Sequence, residues 1–428
     1  MPFRHTTGGA RASAPRYARS ACAVVLAALA ACGGTKGEGE GAANTPGVRG
    51  DTITVAAIMP LSDAVAVIGV PIAAGQQTYF DNLNANGGVA GRYHVRLLTQ
   101  DATYANPSST VQQYQKVKDD IALVAGVVGT DHVRTLLPLI QEDSVIVIPT
   151  TFDAAWVREP RLLPWGAPYQ VSAINGLAYF LSEAGAGRNI CSMVLANGYG
   201  EAGEEGARTL AEQSGMRLAS TVRFKQDDQD FVAPMTQLRN AKCDAVLLVS
   251  LPGVTGRVLG AAAQLGFAPQ WIALSPAWAP PLAQSPLKDY LEKHFWVVFE
   301  GPEWGDTTMT AMREMLAAKE KYRPEQKPDV YFGAGWVIAA GTHALLEKAV
   351  ANGDLTRGGL LRAMEGLGTV QYGLVGDYRY GPVNDRQPPV LSTIFRVNAA
   401  KAVGLEVLAS GYGSPIAAKL AFTRKEQP

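Results

Sequence analysis

The chain has 428 residues, with 38 basic and 38 acidic side chains, 5 histidines and 4 cysteines. A formal net charge of zero excludes the basic stripe that a nucleic-acid surface needs. Hydrophobic content of 47% excludes a predominantly disordered chain, and the lack of any run of about 18 uninterrupted apolar residues excludes a polytopic membrane protein.

The N-terminus reads as an export segment. Arg4, Arg11, Arg16 and Arg19 form a basic region, and residues 21–31 form an apolar one too short to span a bilayer. Leu29-Ala30-Ala31-Cys32 resembles the bacterial lipobox, which implies that residues 1–32 are a signal peptide and that Cys32 is lipidated as the mature N-terminus. A plain cleaved signal with an incidental cysteine is the alternative. Residues 33–50, rich in Gly, Glu, Ala and Thr without apolar periodicity, predict a flexible tether. The expected location is therefore outside the cytoplasm, with the body held at a membrane by its lipid.

Residues 53–59 are apolar, β-branched and stopped by Pro60, which predicts a buried strand. Ile72, Gln76, Tyr79 and Leu83 share helical spacing, and Asn86-Gly87-Gly88 ends that helix. Strands follow at 93–99, 121–128 and 145–148, with helices at 107–119 and 132–142. The pattern restarts after residue 170. Strands at 190–196, 217–224, 245–250 and 271–274 alternate with helices at 200–214, 231–242 and 253–266. Strand starts roughly 25 residues apart suit right-handed βαβ units, so the fold class is α/β with two doubly wound parallel-sheet lobes. A mixed third part holds a strand at 295–299, helices at 307–322 and 330–349, and extended pieces after residue 370.

Cys22 leaves with the signal and Cys32 is acylated on this reading, so Cys191 and Cys243 remain. Each opens a strand of the second lobe. In the common doubly wound order those strands are neighbours about 4.8 Å apart, within disulfide reach. A bridge and a pair of small buried thiols both fit.

Met59-Pro60-Leu61-Ser62, Gly69 and the run from Asp81 through Asn86-Gly87-Gly88 to Gly91 resemble the opening of type I periplasmic binding proteins. The leucine/isoleucine/valine-binding group that serves ABC importers is the most similar. Asn197-Gly198-Tyr199-Gly200, Gln229-Asp230-Phe231 and Cys243-Asp244-Ala245-Val246 continue the resemblance in order, over about residues 51–400. It implies two lobes joined by three crossings: 51–170 plus 300–372, and 171–299 plus 373–428. It also implies a ligand between them, at the C-terminal ends of the strands, and closure that a membrane permease reads.

By the same resemblance, Ser62, Thr130, Asp131, Thr150 and Thr151 would hold a ligand carboxylate, and Tyr199 would be the aromatic of the second lobe. Phe152 and Trp278, with Trp156 and Trp304, follow strands or lie in cleft-edge loops, where aromatics supply contact area. Hydroxyls in such loops also serve as turn and cap residues. Amino-acid binders of this family set an acid of the second lobe against the ligand's ammonium, whereas Leu274-Ser275-Pro276-Ala277-Trp278 holds none. A carboxylate, amide or aromatic ligand is therefore expected over a standard α-amino acid, with Asp131 or Glu303 as alternative sources of charge.

No paired histidines, CxxC, G-x-S-x-G or P-loop pattern occurs, so no metal, cofactor or catalytic machinery is expected. The sequence reads as a monomeric, lipid-anchored solute-binding protein with a small-molecule ligand and an ABC permease as partners. A ligand sensor of the same fold and an exported enzyme on a doubly wound scaffold are the alternatives.

Overall fold

The computed structural model describes residues 45–183 and 189–424, so the signal segment, Cys32 and most of the tether lie outside the described residues. The first sheet is built from β1 (Val48–Arg49), β2 (Thr52–Met59), β3 (His94–Asp101), β4 (Val124–Val128) and β5 (Val147–Thr150). Its parallel order is β3-β2-β4-β5, with β1 antiparallel to the start of β2, Val48 opposite Ile53. Three helices belong to this stretch: α1 (Ala66–Ala85), α2 (Ser108–Val117) and α3 (Thr130–Glu142). Every residue of β4 is buried, as befits a parallel sheet covered on both faces. The expected tether of 33–50 overlaps the described residues at 45–50. Val48 is 4% exposed, and its burial together with the β1 pairing orders residues 45–50.

The second stretch alternates α4 (Tyr169–Glu183), β6 (Ile190–Leu195), α5 (Gly198–Gln213), β7 (Ser220–Phe224), α6 (Val232–Asn240), β8 (Ala245–Val249), α7 (Pro252–Gln264), β9 (Gln270–Leu274), α8 (Lys288–His294) and β10 (Phe295–Phe299). Then come α9 (Thr310–Tyr322), α10 (Val330–Ala351), α11 (Arg357–Glu365), the short β11 (Thr369–Val370) and β12 (Tyr378–Arg379), and finally β13 (Ser392–Val397) and β14 (Leu405–Tyr412). The second sheet has the order β14-β13-β10-β9-β8-β6-β7. Strands β6 to β10 run parallel in doubly wound order, and β13 and β14 extend the sheet as an antiparallel hairpin. Cys191 on β6 and Cys243, just before the neighbouring β8, form a disulfide with Cα atoms 5.8 Å apart.

Helices α9 and α10 return to the first sheet, where both pack on α1 and α10 also meets β4 and β5. Small residues allow the close approach of α1 and α10. A Cβ on Gly75 would stand 2.1 Å from the Phe332 carbonyl oxygen, and one on Gly335 would stand 2.0 Å from that of Ile72. The chain thus passes between the lobes three times, near residues 151–168, 300–309 and 371–391. Two arginines clasp these passages. Arg158 donates to the carbonyls of Val383 and Arg386 at 3.1 and 2.9 Å, and the buried Arg386 donates to those of Glu159 and Leu162 at 3.0 and 2.9 Å.

Candidate functional site

The C-terminal ends of both sheets meet around one cavity of about 120 Å³. On the first side, β4 turns directly into α3 through Gly129, whose φ of 105° suits glycine. That turn puts the hydroxyl of Thr130, the first residue of α3, 2.7 Å from the hydroxyl of Thr151, just beyond β5. Both threonines are 2% exposed. Thr151 also serves as a hydrogen-bond partner of the Tyr169 hydroxyl. The buried hydroxyl of Thr150 has no hydrogen-bond partner.

On the second side, Tyr199 sits in the first turn of α5 and is 3% exposed, and its hydroxyl also lacks a partner. Burial pushes this phenol well above its ordinary pKa, so it stays neutral and able to donate. Aromatic rings run from one side to the other. Trp165 and Tyr169 lie 4.7 and 5.4 Å from Phe152, and Tyr199 lies 4.7 Å from Tyr169. Ile68 and Ile72 of α1, Met312 and Met315 of α9, and Val337 of α10 add an apolar wall. Tyr331 closes the floor, its hydroxyl donating to the carbonyls of Ser275 and Trp278 at 3.2 and 2.6 Å.

Among the described residues, one charged side chain lines this cavity, Glu300, the residue just after β10. Its Oε1 accepts a 3.2 Å hydrogen bond from the Ser275 hydroxyl. Burial among apolar and aromatic groups pushes its carboxyl up to about 7.

Thr130, Thr150, Thr151, Phe152 and Tyr199, expected from the sequence, all line the cavity, as does Trp304. Three others do not. Ser62 donates to Asp101 at 2.5 Å, in an arrangement that also holds the Leu61 amide to that carboxylate; it fixes the loop after β2. Trp278 is 0% exposed, with its indole N–H donating to the Val403 carbonyl at 3.1 Å and its ring 6.2 Å from Phe295; it is core rather than lining. Asp131 lies outside the cavity and bridges the two sides. Its carboxylate accepts from the Gly198 amide at 3.2 and 3.3 Å, where α5 begins, and from Arg134 at 3.3 Å. A Cβ on Gly198 would stand 2.6 Å from Asp131 Oδ1, so glycine is what permits this approach. Trp156 is buried in the core of the first lobe, and Glu303 pairs with Lys401 at 2.8 Å.

The sequence reading missed Glu300, Trp165, Tyr169 and Tyr331. It looked for an acid in residues 274–278; the acid comes instead from the adjacent strand and reaches back to Ser275. A glutamate directly after the apolar run 295–299 was the available signal. Among the described residues, no group of three or more His, Cys, Asp or Glu is placed to hold a metal ion, and no helix is long and apolar enough to cross a membrane.

The cavity lies between two doubly wound lobes and is lined mostly by apolar and aromatic side chains. The chain belongs to the periplasmic binding protein family, whose model matches residues 52–402. It is 24% identical over 199 residues to the Leu/Ile/Val-binding protein BraC3 of Rhizobium johnstonii, a match covering 45% of this chain and 53% of that one, so the chain spans about half the length of that relative. Among solved structures it resembles a fatty acid ABC transporter substrate-binding protein from Thermomonospora curvata, with a TM-score of 0.83, 24% identity, and 89% and 97% of the two chains covered. A branched-chain amino acid ABC transporter structure from Thermus thermophilus with bound valine gives a TM-score of 0.74, 16% identity, and 87% and 99% coverage.

Proposed function

We propose that this protein is the extracytoplasmic solute receptor of an ABC importer, a lipoprotein anchored through Cys32 that captures a small organic molecule and presents it to a membrane permease. Residues 51–170 plus 300–372 would form one lobe and 171–299 plus 373–428 the other. The observation that carries this reading is the cavity itself: an enclosed, largely apolar space between two lobes, with unpartnered hydroxyls of Thr150 and Tyr199 at its wall. Buried polar groups are ordinarily hydrogen-bonded, so two orphans lining one cavity mark where a ligand would complete the bonding.

The ligand carries an apolar body. Nine aromatic side chains and the α1, α9 and α10 side chains make the wall largely apolar, so an apolar body on the solute would be buried against it. A similar fold serves fatty acids in one relative and holds valine in another. The binding reading is favoured over catalysis because the family and the similar solved structures are binding proteins. A thermal-shift screen of aromatic, amide, amine, carboxylate and amino-acid compounds tests the reading. Binders should raise the melting temperature by mass action, by an amount that grows with concentration. A screen in which short amino acids bind as tightly as the larger apolar compounds would remove the argument from the apolar lining.

A further inference from the structure

Strands β9 and β10 are parallel neighbours with Leu274 opposite Val298, so the residues that follow them emerge side by side at the cavity. Ser275 follows one and Glu300 closely follows the other, and the serine hydroxyl holds one carboxylate oxygen. Glu300 keeps partial accessibility in the cavity that it lines. The groups facing it are Ser275 after β9, Tyr169 on α4, Tyr199 on α5 and Tyr331 on α10. The three tyrosines are kept neutral by burial. Asp329 caps α10 beside Tyr331 and adds no positive charge. Among the described residues, no lysine, arginine or histidine lines the cavity. A carboxylate held there by its own backbone amide and one neutral hydroxyl lacks the counter-charge that buried ions require.

We infer that Glu300 is the recognition point for a positively charged nitrogen, and that the solutes selected by this cleft are organic amines with an apolar body. The inference rests on the cleft being a solute site and adds the charge of the solute. An ammonium supplies the missing cation, and the faces of Phe152, Trp165, Tyr169 and Tyr199 attract it further through their ring quadrupoles. A carboxylate ligand would instead bring a second negative charge into a cavity with no cation to separate the two. The unpartnered Tyr199 hydroxyl stands in the same chamber, available to whatever acceptor the amine carries elsewhere.

The test uses matched probes on the full chain: 2-phenylethylamine, 3-phenylpropionate and 3-phenylpropanamide, with hexylamine, hexanoate and hexanamide as an aliphatic set, each titrated by calorimetry. The amine should bind about tenfold or more tighter than the carboxylate of the same body. Glu300→Gln keeps the size and can still accept from Ser275, and it should cost the amine about tenfold while leaving the amide within about twofold. The pH dependence gives a second readout. A carboxyl near pH 7 is about tenfold less ionised at pH 6 than at pH 8, so amine affinity should fall by about that factor in wild type, with proton release on binding near pH 7, and Glu300→Gln should lose that fall although it keeps the buried Asp329 carboxyl, which is also pushed up to about 7. Carboxylates that bind tighter than amines, with proton uptake, overturn the inference and leave solute capture standing. So does a Glu300→Gln protein that binds amines as wild type does. Failure of every probe, while short amino acids bind, overturns both this inference and the apolar-body reading.

Discussion

The first sheet ends at the cleft in hydroxyls and a helix N-terminus: Thr130 and Thr151 bonded to each other, Thr150 unpartnered, and α3 starting between them. The second sheet ends there in rings and one acid: Tyr199 beyond β6, Ser275 beyond β9 and Glu300 beyond β10. Their frames differ as well. The first is closed by helices that return from far along the chain and dock by glycine contact. The second is cross-linked by Cys191–Cys243 and widened by the β13–β14 hairpin. One side therefore ends its strands in hydroxyls and is completed late in the sequence, and the other ends them in a tyrosine, a serine and an acid and is stapled. A ligand held between them must satisfy both chemistries at once, and that is where selectivity arises.

The largest expected effect breaks the staple. Replacing both Cys191 and Cys243 by alanine opens a covalent loop with a sequence separation of 52, which corresponds to about 4 kcal/mol of chain entropy. Chemical denaturation should show that loss in the second lobe. Ligand affinity should stay within about twofold, because the bond lies at the N-terminal ends of the strands, opposite the cavity. If affinity fell in step with stability, the frame and the site of the second lobe would not be separable.

Much of this architecture was legible in the sequence because parallel strands are buried on both faces. The runs at 53–59, 190–196, 245–250 and 295–299 are continuous, β-branched and cut by turn residues, which leaves little freedom in reading them. Helix α4 escaped notice for the converse reason. Its first nine residues, from Tyr169 to Leu177, are all buried, so it shows no polar face and no helical period. The pairing of β13 with β14 depends on contacts with β10 that no local pattern announces. At the site, Thr130, Thr150, Thr151 and Tyr199 were readable through the family resemblance, and Phe152 as an aromatic in a loop near a strand end. Ser62 and Trp278 were read in the same two ways. What set them apart was their partners, Asp101 and the Val403 carbonyl, distant in sequence and brought near only by the fold.

A smaller effect sharpens how the two sides close on each other. Asp131→Ala removes a carboxylate that joins α3 to the amide of Gly198 at the start of α5. Hydrogen bonds to charged groups are worth about 1.5–3 kcal/mol, so affinity should fall about tenfold or more. The loss should be the same for every ligand in a matched series, since Asp131 lies outside the cavity and acts on closure. Small-angle scattering of the variant with saturating ligand should show a larger population of open molecules. A loss that differed between amine, amide and carboxylate would return Asp131 to direct ligand contact.

The smallest effect concerns a single oxygen. Removing a buried hydroxyl that is hydrogen-bonded destabilises a protein, because its partner is left unsatisfied. Tyr199 is the opposite case: its hydroxyl is buried and has no partner, so Tyr199→Phe should leave the ligand-free melting temperature unchanged or slightly raised. The ring contact with Tyr169 at 4.7 Å survives the change. With ligand bound the sign reverses. A solute that completes the bond loses about 1 kcal/mol, roughly fivefold in affinity, and one that leaves the oxygen alone loses nothing. Measured across a series in which an acceptor is moved along an apolar body, the variant would locate the atom that meets this side of the cleft. A Tyr199→Phe protein that melts lower without ligand would mean that the oxygen has a structural partner, and Tyr199 would then belong to the frame of the second lobe rather than to its site.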